Sequence, residues 1–138
     1  NMQTQIHLNF NGDCEEALKF YEKALGAKRS FSHTWGQSPM AKDAPAGWAD
    51  KIMHATIKIG DAEMMAADSP PSHYKPMSGF SMSLNAATPK EADKIFTALS
   101  EGAKVTMPLQ ETFWAHSFGM LTDKFGTPWM VNCGKPQP

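Results

Sequence analysis

The chain has 138 residues, 41% of them hydrophobic and 20% charged, with a formal net charge of −1. That length suits one domain with a real core, and the even charge balance excludes the basic stripe that nucleic acid or an anionic membrane surface requires. Apolar runs fall far short of the ~20 residues of a membrane span and no charged-then-apolar leader opens the chain, so a cytoplasmic protein is expected. Cys14 and Cys133 lack the number and spacing for a disulfide framework or a CxxC centre.

The first alternation sets Ile6, Leu8 and Phe10 against Gln5, His7 and Asn9, the period of a half-buried strand. A helix follows, in which Asp13 stands at the cap with Glu16 three residues on and Ala17, Leu18, Tyr21, Ala24 and Leu25 form an apolar stripe ending at Gly26. Three extended segments are expected near 28–35, 52–59 and 63–67, the last two joined by a turn at Gly60-Asp61. The stretch 36–50 has little periodicity and reads as a lid, a dimer contact or a plain surface loop. Asp68, beside Ser69-Pro70, reads as a turn former.

The order then repeats. Phe80, Met82 and Leu84 alternate with Ser81, Ser83 and Asn85; Thr88-Pro89-Lys90-Glu91 is a capping box with Pro at the first helical position; Ala92, Ile95, Phe96 and Leu99 supply the stripe. Gly102-Ala103-Lys104 repeats Gly26-Ala27-Lys28 at an offset of 102 − 26 = 76 residues. Strands are expected around 105–109, 117–122 and 128–133, with Trp129 sharing core parity with Val131 and Cys133. The fold class predicted is therefore α+β, two βαβββ modules at about 2–68 and 79–135 around a linker at 69–78, each helix packed on its own sheet. The remaining strand faces carry His7, Asn9, His54, Thr56, Ser81, Ser83 and Asn132, a polar set that could line a concavity or be solvated.

These modules resemble the vicinal-oxygen-chelate superfamily of glyoxalase I and bleomycin-resistance proteins, and its PhnB-like group in particular. The resemblance spans nearly the whole chain and rests on Leu8 through Ala17 running into Phe20-Tyr21, on Met53-His54-Ala55, on Gln110 through His116 (QETFWAH) and on Asp123 through Trp129 (DKFGTPW). It implies a homodimer whose curved sheets hold a small molecule. A methyltransferase label sometimes attached to the group is not expected to apply, because a nucleoside-methyl-donor fold needs a Gly-rich strand-to-helix turn and none is present.

Metal-dependent members of the superfamily place His or Glu ligands on the first and last strand of each module. His7 stands where the first would be, but the usual Glu four places after the turn glycine Gly126 is Met130, and Met64, Met65 and Phe80 or Ser81 occupy the other regions. Thioethers are poor substitutes for hard carboxylates, so no metal and no cofactor is expected. For chemistry, His54, His116 and Glu111 are the candidate proton-transfer groups, with His7, Phe113 and Trp114 as ligand-binding residues. The ordinary alternatives are a satisfied core histidine for His54 and a packed aromatic strand for 111–116; His33 and His73 read as surface residues. Two functions stay open: an atypical enzyme using a His or Glu base on a small oxygenated metabolite, and a non-catalytic module that sequesters a ligand.

Overall fold

The computed structural model describes residues 1–136 and divides into two compact units, Asn1–Pro76 and a second beginning at Met77. The first unit runs β1 (His7–Phe10), α1 (Cys14–Leu25), β2 (Lys28–Thr34), β3 (Ile52–Ile59) and β4 (Ala62–Asp68). Its sheet has the order β1-β4-β3-β2, with β1 parallel to β4 and the other pairs antiparallel. The second unit repeats this as β5 (Met82–Asn85), α2 (Pro89–Leu99), β6 (Lys104–Gln110), β7 (Ala115–Thr122) and β8 (Pro128–Gly134), in the order β5-β8-β7-β6. The βαβββ order expected from the repeated pattern is present in both.

In the first unit, Arg29 on β2 pairs with Ile57 on β3 and bonds both oxygens of Glu15 on α1 at 2.9 and 2.7 Å, which identifies the face that carries the helix. Leu8, Phe10, Ala55, Ile57, Met64 and Ala66 are buried with Ala17, Leu18 and Tyr21 of α1. Each large side chain buried this way contributes about 1.5–3 kcal/mol, so alternation in the strands and the helical stripe share one origin. In the second unit the helix face is marked by Gly119, where an added Cβ would lie 2.7 Å from Cε1 of Phe96 on α2. Trp129, Leu121 and Val131 fill that core, and the indole N–H of Trp129 donates to Oδ2 of Asp123 at 2.8 Å.

Both units carry the same irregularity at the same place. Pairing shifts between Arg29 and Phe31 in β2 and between Val105 and Met107 in β6, 76 residues on. In each case one extra residue lets the preceding side chain face the helix and the following one face away.

Two local expectations change. Asp13 precedes α1, but its side chain makes no capping hydrogen bond. Asp68, read as a turn former, instead ends β4 as a buried carboxylate that accepts the N–H of Cys14 at 2.9 Å and of Ile52 at 3.0 Å. It caps α1 from across the sheet, a role no local spacing can encode. At the other helix half of the expected box forms: Glu91 N–H donates to Thr88 Oγ1, while the Glu91 carboxylate accepts the N–H of Ala87, one residue before the cap. No helix among the described residues is long and apolar enough to cross a membrane.

Candidate functional site

The sheet face of the first unit opposite α1 is built row by row from strand register. His7 pairs with Met65, Met65 with Thr56, and Thr56 with Phe31; one step along, His54 pairs with His33. Four rings gather there. The His54 centroid lies 6.5 Å from His7, 6.2 Å from His33 and 6.2 Å from Phe31, and Phe31 stands edge-on to His33 at 5.2 Å. Phe31 is 52% exposed, a large aromatic in contact with imidazoles rather than with a core.

The polar atoms of this cluster are short of partners. Nε2 of His33 is buried without a hydrogen bond, and Nε2 of His54 has only the Thr56 hydroxyl at 3.5 Å. Among the described residues none of the three imidazoles makes an ion pair with a carboxylate. Partial burial pushes the His7 imidazole below its ordinary value of 6.5 and the neighbouring His54 pushes it further, against a hydrogen bond with Asn9. His7 is thus biased toward the neutral ring, which can accept a proton or a hydrogen bond.

His7 and His54, expected on one polar face, are brought together; His33 and Phe31, read as surface and strand residues, join them. Their alternation in β2 was visible, but the extra residue at Ser30 separates them from Arg29, whose parity they share in sequence and whose face they do not.

The other candidates lie in the second unit. Glu111, Thr112, Phe113 and Trp114 form the tight connection between β6 and β7, closed by the Thr112 N–H to the Ala115 carbonyl and by the Lys135 ammonium on the Thr112 carbonyl. Glu111 pairs with Lys135 at 2.9 Å, and that bond holds its carboxyl below the usual range. Phe113 is 89% exposed and meets Trp114 edge-on at 4.8 Å, and Trp114 meets Phe118 at 5.2 Å. His116 follows on β7, exposed. On the face away from α2, Ser83, Met130, Met120 and Met107 run across the four strands in register.

The register also tests the family's metal. The position paired with His7 is Met65, since Met64 turns into the core, and the equivalent pair in the second unit is Ser83 and Met130, because β5 begins at Met82 and leaves Phe80 and Ser81 before it. Neither pair, an imidazole beside a thioether in the first unit or a hydroxyl beside a thioether in the second, offers the donors that a hard divalent ion needs. Among the described residues no group of three His, Cys, Asp or Glu could hold one. A separate cleft of about 490 Å³ lies between residues 3–5 and the β3–β4 turn, lined by Lys58 and Glu63 but by no imidazole.

Residues 5–131 match the profile of the Glyoxalase/Bleomycin resistance protein/Dioxygenase superfamily. Protein YjdN of Escherichia coli K12 is 37% identical, with 99% of each chain covered. The crystal structure of PA1353 from Pseudomonas aeruginosa is 45% identical, with a TM-score of 0.88 over 99% of this chain and 100% of that one. A PhnB protein from Bacillus cereus that carries a provisional 3-demethylubiquinone-9 3-methyltransferase name is 24% identical, with a TM-score of 0.82 over 96% and 100%, and shows the fold alone.

Proposed function

Because this chain belongs to the Glyoxalase/Bleomycin resistance protein/Dioxygenase superfamily, we propose that it binds a small oxygenated metabolite on the far face of its first sheet, with His54 as proton acceptor. The observation that carries this reading is the gathering of His7, His33 and His54 with Phe31 on one face, with Nε2 of His33 buried and without a hydrogen-bond partner. Buried structural histidines are normally satisfied, so the open nitrogen of His33 suits a ligand that supplies the missing partner. His7 orients the ligand, and Phe31 shields one side of it. Glu111 is the weaker base, since its bond to Lys135 stabilises the carboxylate and lowers its proton affinity. No step is routed through a metal, because the paired positions lack the donors for one. The methyltransferase reading has no support in either strand-to-helix connection, where Asn11-Gly12-Asp13 and Ala86-Ala87-Thr88 offer no glycine-rich turn. The protein is proposed to act in the cytoplasm as a homodimer.

Native mass spectrometry of the purified protein tests the reading. It should reveal a bound small molecule whose affinity falls about 5- to 150-fold in His54→Ala, the range for losing one polar contact. A ligand retained with unchanged affinity in both His54→Ala and His7→Ala would overturn it. A second reading, sequestration without chemistry, is favoured by the exposed Phe113 and Trp114. It predicts that Trp114→Ala loses the ligand while His54→Ala keeps it.

A further inference from the structure

The imidazole cluster has three rings and no counter-charge of its own. On β1 the ring is His7, beside Asn9; on β2 it is His33, with Lys28 further along; on β3 it is His54, with Lys58 further along, paired to Lys28. On β4, the strand between His7 and Thr56, the far face carries Met65, and its one acidic side chain, Glu63, stands opposite Lys58 in the strand register and accepts a hydrogen bond from Gln5. Arg29 is turned to the helix and held by Glu15 and Glu22. The face therefore presents ring nitrogens, two lysines and one carboxylate that is already engaged.

We propose that this cluster is an oxyanion site: a small carboxylate- or sulfate-like group binds among His7, His33 and His54 and draws a proton onto the rings as it does so. The geometry supports it from three sides. Ring centroids 6.2–6.5 Å apart leave space for an oxyanion to touch more than one ring. The buried Nε2 of His33 lacks a partner that an anion oxygen could supply once that nitrogen carries a hydrogen. Two protonated rings this close repel, and a bound anion removes that cost, so proton and anion favour each other's binding. Without a guanidinium on the face, affinity depends on protonation rather than on a permanent charge. The inference rests on the preceding section for which face is used, and not for any reaction there.

The test uses the full chain in a chelator-containing buffer, with inorganic sulfate as the probe because it stays a dianion across pH 5–8. Imidazole proton resonances of His7, His33 and His54 are followed through a pH titration with and without sulfate. Sulfate should raise the titration midpoint of at least two of the three rings, and its affinity should rise about tenfold per pH unit on going down through the histidine range for each proton taken up. His54→Gln should abolish most of this effect, while His73, in the Pro-rich loop, should not respond in either protein. Midpoints unmoved by sulfate, or moved equally in His54→Gln, would overturn the proposal. Should the co-purified metabolite prove neutral and bind this face with no proton uptake, the reading of the face stands and the oxyanion inference alone falls.

Discussion

Asp68, read from the sequence as a turn former, ties the strand it ends to the helix and to the neighbouring strand. Its two oxygens accept backbone N–H groups from the start of α1 and the start of β3, at 2.9 and 3.0 Å, joining three elements through one 2%-exposed side chain. Asp68→Ala leaves two buried donors unsatisfied, and chemical denaturation should show a loss of about 2–4 kcal/mol. The pH dependence has a definite sign. Burial raises the Asp68 carboxyl above its ordinary 3.8, only partly offset by the N–H groups it accepts. The folded state then binds this proton more tightly than the unfolded state does. The stabilisation linked to the proton is fully present below 3.8 and is lost as pH rises through the higher folded value. The stability gap between the wild type and Asp68→Ala should accordingly narrow from pH 3.5 to 7; a gap that widens would contradict the burial argument. The same surroundings act on Cys14, where burial first and Asp68 second push the thiol far up and favour its protonated form.

At the level of elements, the two helices begin by different means and should respond differently to mutation. Thr88 accepts the N–H of Glu91 in a local cap, so Thr88→Ala should cost about 1 kcal/mol, within the 0.5–2 range for lost caps. Asp13 stands at the equivalent place before α1 with one buried oxygen unpartnered, and it adds repulsion at Asp68. Asp13→Ala is therefore expected to be neutral or stabilising in thermal melts, and a loss as large as that of Thr88→Ala would mean that Asp13 caps after all. In the second unit, α2 comes so close to β7 that position 119 has no room for a methyl group against Phe96 and the Leu109 backbone. Gly119→Ala should destabilise by about 1–3 kcal/mol, the usual cost of overpacking.

For the molecule as a whole, each unit buries its own helix stripe and keeps a sheet face free of that helix, but the two faces differ in chemistry. The first carries imidazoles and the second a row of methionines with an aromatic turn nearby. Large apolar side chains remain exposed, Phe31 at 52% and Phe113 at 89% among them, and such surface favours coverage by a ligand or a partner. Sedimentation equilibrium at micromolar concentration is expected to give twice the 15.2 kDa chain mass, the symmetric dimer being the commonest assembly. A species at the single-chain mass across that range would remove the dimer from the proposal.

The sequence alone was enough for the fold, because a period of two in strands and a stripe in helices are direct records of which side chains leave water. It also placed His7 and His54 on one face, since parity along a strand is a local property. What it could not supply were the relations made by register. Met65 rather than Met64 stands beside His7, and Ser83 rather than Ser81 occupies the equivalent place in the second unit, because pairing across strands is chosen by the whole sheet. His33 and Phe31 entered the cluster through one extra residue at Ser30, which reverses the face of the strand up to the next pairing shift, between His33 and Thr34. Asp68 reached the helix it caps from 54 residues away. Local alternation is written one residue at a time, whereas a partner across the sheet exists only once the chain has closed on itself, and that is where the tertiary structure decided which side chains share a face.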